Sequence, residues 1–225
     1  MNIGVIVAGG KSERIGPNVD KAFLNLGTKP ILAYSLLAFE RCPDIGGVVL
    51  VVRKDRIDGA RGMAQMFGCS KVKRIVAGGS KRQISVSNGL TLLGDEVKVV
   101  AIHDGARPCV TPDLISATVR SAEKYGSGVA AVKITDTVKE VDSGTTISRT
   151  VDRMKLWAVQ TPQAFKLDLL VKAFDLIKKK GLTVTDEASA VELVCKNVRL
   201  VPAPWSNIKI TTPDDLTLAA TLLKL

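Results

Sequence analysis

A glycine-rich turn running into a string of cations is the first place where this chain could do chemistry: Ala8-Gly9-Gly10-Lys11-Ser12-Glu13-Arg14-Ile15-Gly16, with Lys21 shortly after it. Backbone N–H groups can lie along a polyphosphate only where no Cβ intervenes, and Lys11, Arg14 and Lys21 would then surround that anion. The residue types suit a nucleoside triphosphate; the competing reading is a plain tight turn. Two commoner phosphate loops are excluded. The dinucleotide pattern GxGxxG is absent, and a Walker loop ending in Gly10-Lys11-Ser12 needs its first glycine at position 5, which is Val5.

Other residues with chemical potential lie downstream. Asp104 follows an apolar run, which places its carboxylate in the crevice where open α/β sheets bind ligands; a divalent cation or a substrate hydroxyl would hold it, and a turn cap is the alternative. Arg107 would pair with Asp104 or with neighbouring backbone. Gly78-Gly79-Ser80 with Lys81, Arg82 and Ser85 opens a helix, and Ser80 there also reads as an ordinary N-cap. Thr185-Asp186-Glu187-Ala188 has the shape of a capping box with Thr185 as the cap, so Asp186 and Glu187 read as structural. Lys178-Lys179-Lys180 before Gly181 reads as the solvated end of a helix.

These residues need a scaffold that gathers strand ends. Short β-branched runs at 3–8, 46–52, 72–77, 97–103 and 128–134 alternate with helical segments, and runs apolar on both faces indicate strands covered by helices on each side. Thr28-Lys29-Pro30, Thr111-Pro112 and Thr212-Pro213 each place proline near a helix start. The fold class expected is α/β, a doubly wound, mostly parallel, Rossmann-like sheet. Residues 133–157 break the pattern: they alternate and carry a turn signal at Asp142-Ser143-Gly144, which predicts a β-hairpin arm. A lone hairpin is marginal in water, so it should pack against something, such as the same arm of a second subunit.

Composition narrows the function classes. The 225 residues, 46% hydrophobic, suit one domain spanning 1–225, and no stretch approaches the roughly 20 apolar residues of a membrane span. With no leader pattern either, a cytoplasmic protein is expected. A formal net charge of +10 favours anionic partners, yet the cations are scattered and aromatics are 4%, which is poor material for stacking nucleic-acid bases. Cys42, Cys69, Cys109 and Cys195 form no CxxC pair and are expected as buried thiols.

AGGKSERIG followed by DKAFLNLGTKPIL resembles the opening of the glycosyltransferase-A-like nucleotidyltransferases, although Asp20 and Ala22 flank the lysine where cytidylyltransferases usually carry Pro and Gln. Five later elements occur in the order seen in the 2-C-methyl-D-erythritol 4-phosphate cytidylyltransferase family: His103-Asp104-Gly105-Ala106-Arg107-Pro108, Thr150-Val151-Asp152-Arg153 with Leu156-Trp157, Gln160-Thr161-Pro162-Gln163, Thr185 to Ala190, and Asn207-Ile208-Lys209-Ile210-Thr211. Gly105 stands where alanine is usual. The pentitol-phosphate cytidylyltransferases share the last element and are the nearest rival.

The resemblance implies transfer of CMP from CTP to a small polyol phosphate, with Mg²⁺ as cofactor, no nucleic-acid or membrane partner, and a homodimer formed through the arm. It implies catalytic roles for Arg14, Lys21 and Lys209, and CTP contacts from Ala8, Gly9, Gly10, Gly79, Ser85, Asp104 and Gly105. The acceptor would lie among Asp104, Thr137, Arg153, Thr161 and Lys209, with Asp104 as metal ligand. Arg153 alternatively reads as an arm salt bridge to Asp136 or Asp152. Nucleotidyl transfer to an ionised phosphate needs no base, so His103, the only histidine, reads as structural.

Overall fold

Alternate residues of each central strand enter two different cores, which is what a sheet covered on both faces requires. In the computed structural model, which describes residues 1–10, 15–16 and 20–225, Ile6, Leu50 and Ala101 join one core while Val5, Val49, Val51 and Ile102 join the other.

The chain order is β1 (Asn2–Ala8), β2 (Asn25–Leu26), β3 (Lys29–Pro30), α1 (Ile31–Arg41), β4 (Gly47–Val52), α2 (Ile57–Met66), β5 (Val72–Ala77), α3 (Arg82–Leu90), β6 (Val99–Asp104), α4 (Pro112–Tyr125) and β7 (Ser127–Lys133). It continues through β8 (Val138–Val141), β9 (Ile147–Val151), β10 (Trp157–Lys166), α5 (Leu167–Lys180), α6 (Glu187–Glu192), β11 (Leu200–Pro202) and α7 (Pro213–Leu222). The seven-stranded sheet runs β11-β7-β10-β6-β1-β4-β5. Only β10 is antiparallel within it. α1, α2 and α4 cover one face, and α3, α5 and α6 the other. The doubly wound, mostly parallel expectation therefore holds.

The strands read from apolar runs lie within two residues of their expected limits, whereas β10 and β11 were not anticipated. β10 carries Pro162 and is irregular: Val159 faces Ala131 but Gln163 faces Val129, so residues 160–162 bulge out of the ladder with β7. Proline stands at the helix start in all three expected places, and in two of them the preceding threonine caps the helix. Thr111 Oγ1 accepts the Leu114 N–H at 3.2 Å, and Thr212 with Asp215 forms a capping box. Pro30 sits at the cap of α1 without a side-chain bond.

Some readings need correcting. Ser80 is not a helix cap: α3 begins after Lys81, whose backbone is extended and whose side chain caps nothing. The cap of α6 is Asp186, which accepts from Ser189 N at 3.0 Å, rather than Thr185, because the Ala188 N–H that Thr185 would cap donates to Gln163 Oε1 at 2.9 Å. Cys42, Cys69 and Cys109 are buried, but Cys195 is only half-buried.

The expected arm is present. β8 and β9 form their own antiparallel pair, joined across a turn in which Gly144 takes φ +59°. Val141, Ile147 and Met154 are exposed on and beside it. Among the described residues no helix is long and apolar enough to cross a membrane.

Gly128 marks where the sheet and α4 touch most closely. A Cβ there would stand 2.2 Å from the Thr118 carbonyl oxygen and 2.8 Å from Ser121 Cβ, so only a shift of the helix could admit it. Gly128→Ala is expected to destabilise the protein by about 1–3 kcal/mol. A lowered urea midpoint at unchanged slope would show this, and an unchanged midpoint would contradict it.

Candidate active site

β1 pairs with β4 on one side and β6 on the other, so a crevice opens at the carboxyl ends of these parallel strands. A cleft of about 1250 Å³ lies there. Its walls include Ala8 at the end of β1 with Gly9 and Gly10 after it, Arg53 and Lys54 after β4, Gly79, Lys81, Arg82 and Ser85 after β5, Asp104 at the end of β6, and Lys21 and Lys209. Among the described lining residues six cations face three carboxylates, a balance suited to a polyphosphate.

Lys21, Arg82 and Lys209 are aimed by local devices. Asp20 Oδ1 caps the short turn that begins at Lys21 by accepting Ala22 N at 3.3 Å, and Asp20 Oδ2 takes Arg56 Nε at 3.1 Å. The unusual Asp20 thus anchors the turn carrying Lys21, whose Nζ donates to the Ile210 carbonyl at 2.8 Å. Asp215 Oδ2 gathers Thr211 N and Thr212 N at 2.7 and 2.8 Å and holds the segment after Lys209. Lys209 Nζ lies 2.7 Å from Asp104 Oδ2, while Arg82 Nε lies 2.9 Å from Asp104 Oδ1. Burial opposes the charge on Asp104, but Arg82 and Lys209 outweigh it and hold the carboxyl well below the usual range.

Gly79 and Ser85 meet at the next wall, where Gly79 N donates to Ser85 Oγ at 3.0 Å and Ser85 Oγ donates to the Lys81 carbonyl at 3.2 Å. A Cβ on Gly79 would fall 2.2 Å from Ile84 Cγ2, so the bare backbone is what lets this loop turn. Gly105 does not line the cleft. Its N–H is used by the Val7 carbonyl at 2.9 Å, and the neighbouring Ala106 lines the cleft instead.

The acceptor residues are divided. Thr161 is buried behind Asp104, its Oγ1 accepting Asp104 N at 3.0 Å and lying 3.2 Å from His103 Nδ1. Thr137 and Arg153 are exposed on the arm, outside the residues that line the cleft of this one chain. Arg153 donates to the Thr135 carbonyl rather than pairing with Asp136 or Asp152, and Asp152 caps Met154 N at 3.0 Å. Arg14 lies outside the described residues. Arg107 braces the loop through the Asn207 carbonyl at 2.8 Å. Arg53 and Lys54 were overlooked; their place directly after the second strand run was the available signal.

His103 is fully buried, with Nε2 3.3 Å from the Arg107 carbonyl, and burial drives its pKa from 6.5 down to about 3. A depressed histidine pKa means that the unfolded chain binds the extra proton, so stability is complete above the unfolded value and falls on acidification. Between pH 7 and about pH 5 the native protein should lose about 2 kcal/mol more than His103→Gln does. Urea titrations at both pH values check this, and equal losses would contradict it.

Comparison with known proteins adds what the geometry lacks. The family model described as IspD: 2-C-methyl-D-erythritol 4-phosphate cytidylyltransferase matches residues 3–225. The chain belongs to this family. A relative of that name from Dehalococcoides mccartyi is 44% identical, over 98% of this chain and 95% of its own length. One from Clostridium acetobutylicum is 40% identical, over 100% and 98%. Among solved structures, the 4-diphosphocytidyl-2C-methyl-D-erythritol synthase of Anaerococcus prevotii superposes with a TM-score of 0.87 at 27% identity, covering 100% of this chain and 96% of that one. The 2-C-methyl-D-erythritol 4-phosphate cytidylyltransferase of Thermus thermophilus gives 0.80 at 29% identity, covering 98% of each.

Proposed function

We infer that this protein is the cytidylyltransferase that joins CMP from CTP to 2-C-methyl-D-erythritol 4-phosphate, giving 4-diphosphocytidyl-2-C-methyl-D-erythritol and pyrophosphate on the way to isoprenoid precursors. The observation that carries the reading is family membership over residues 3–225 together with a cation-lined cleft at the strand ends. The acceptor's phosphate oxygen attacks the α-phosphorus in line, the bond from that phosphorus to the α,β-bridging oxygen breaks, and pyrophosphate leaves with that electron pair. An ionised phosphate needs no base, which agrees with a buried, neutral His103. Catalysis then rests on position and charge: Arg14 and Lys21 on the triphosphate, Lys209 beside the α-phosphate. Gly9, Gly10 and Gly79 lend backbone to the nucleotide.

Among the described residues no group of three or more histidines, cysteines and carboxylates is gathered to cage a metal. That suits Mg²⁺, which is commonly held by one carboxylate, water and substrate phosphates. Asp104 would hold it, each carboxylate oxygen keeping a second acceptor site beside its present cation. When bound, the ion would neutralise charge growing on the phosphate oxygens.

We read residues 1–225 as one nucleotidyltransferase domain acting in the cytoplasm, with the arm at about 133–157 pairing two subunits. The exposed Val141 and Ile147, and the exposure of Thr137 and Arg153 on the arm outside the residues that line the cleft, support a second chain that covers the arm and receives its arginine. Offering each ribonucleoside triphosphate with each candidate acceptor and measuring pyrophosphate tests the reading. CTP with 2-C-methyl-D-erythritol 4-phosphate should dominate; release with GTP, or only with ribitol 5-phosphate, would defeat it.

A further inference from the structure

Glu187 opens α6, is 1% exposed and does not line the cleft. A buried carboxylate is costly unless it is paired and hydrogen-bonded. Burial pushes the Glu187 pKa up, opposed by Arg82, which grips it by a two-toothed fork: Nη1 to Oε1 at 2.6 Å and Nη2 to Oε2 at 3.0 Å. With both terminal nitrogens held, the guanidinium plane is fixed, and the remaining Nε–H points at Asp104 Oδ1, 2.9 Å away. Asp104 Oδ2 takes Lys209 Nζ at 2.7 Å. Charges therefore alternate from the buried start of α6 to the cleft: Glu187, Arg82, Asp104, Lys209.

We propose that Glu187 is a positioning residue for cytidylyl transfer, acting through Arg82 to keep Asp104 shared between Arg82 and Lys209 and so to aim the Lys209 ammonium at the α-phosphate. The proposal rests on the function inferred above. Without the charge on Glu187, Arg82 keeps one counterion, and a guanidinium with free terminal N–H groups binds a carboxylate side-on through both oxygens. Asp104 then turns to Arg82, and Lys209 loses its anchor. Glutamine at 187 preserves volume but sets an NH₂ group against a fork made only of donors, so the fork cannot form.

Glu187→Gln is expected to lower kcat by on the order of 10- to 100-fold while the CTP dissociation constant stays within about threefold. In an Asp104→Asn background the same change should cost less than about threefold, because the carboxylate through which it acts is already gone. A general packing defect would cost the same in both backgrounds and would overturn the proposal, as would a kcat unchanged from wild type. Should Glu187→Gln not fold, Glu187→Asp is measured in its place: it keeps the charge but draws the carboxylate back by one methylene. A loss of at least about threefold is then expected, again vanishing in the Asp104→Asn background, and an undiminished kcat overturns the proposal. Wild type is the reference throughout. A wild type inactive with CTP and every acceptor defeats the functional reading itself, whereas an active wild type with an unaffected variant defeats only the role of Glu187.

Discussion

Lys21→Ala is expected to lower kcat for pyrophosphate release by on the order of 10² to 10³, while the Michaelis constant for CTP rises far less. The lysine lines the cleft from a turn that Asp20 and Arg56 anchor on the protein side. An ammonium held in place before the reaction costs no reorganisation when charge builds on the triphosphate oxygens, so its contribution grows in the transition state rather than in the bound complex. Arg14→Ala should behave in the same way. Steady-state kinetics with CTP varied at saturating acceptor, alongside a direct CTP binding titration, separates the two possibilities. A loss confined to CTP affinity would mean that these cations only hold the nucleotide.

Mixing inactive Lys21→Ala and Arg153→Ala proteins should restore activity, and this contrast is larger still because it starts from almost nothing. Arg153 lies on the arm, hydrogen-bonded to the Thr135 carbonyl and outside the cleft walls of its own chain. On the proposed reading, a guanidinium that grips the acceptor phosphate from there does so in the cleft of a partner. In a mixed dimer one site carries both lesions and the other carries neither. Random exchange makes half the dimers mixed, so recovery should approach about a quarter of the wild-type rate. A site built within one chain keeps one lesion everywhere and predicts no recovery. Exchange is verified by mass spectrometry of the intact dimers; a mixture no more active than its components would leave the arm a structural element.

Much of this arrangement was legible in the sequence because the central strands are apolar on both faces, and such runs at 3–8, 46–52 and 97–103 have few other readings. β10 escaped because its polar residues look like loop. Gln163 is nonetheless buried: its Nε2 donates to the Gln160 carbonyl at 3.1 Å and to Asp186 Oδ2 at 2.8 Å, and its Oε1 accepts Ala188 N at 2.9 Å. A strand whose polar side chains are satisfied by distant partners gives no periodic signal. The caps misread at Ser80 and Thr185 show that a hydroxyl near a helix start is a weak marker of the boundary: α3 starts one residue later with no side-chain cap, and α6 is capped by the neighbouring Asp186. Glu187 was seen only as part of a capping pattern, since its partner Arg82 lies 105 positions away and nothing local reveals the pair. Lys21 was evident from residue type alone beside the first glycine loop, while the anchoring of its turn by Asp20, and of Lys209 and the segment after it by Asp104 and Asp215, required the fold.

Phosphorus NMR of a mixture of this protein, CTP, 2-C-methyl-D-erythritol 4-phosphate and Mg²⁺ tests the central claim most directly, because it follows the bond that forms as well as the one that breaks. The acceptor's phosphomonoester signal and the three CTP signals should disappear together. A pair of mutually coupled diphosphate doublets and the signal of pyrophosphate should replace them in equal amounts. Pyrophosphate accompanied by free CMP, or CTP left intact while the acceptor loses its phosphate, would contradict a transfer of CMP to the acceptor's phosphate.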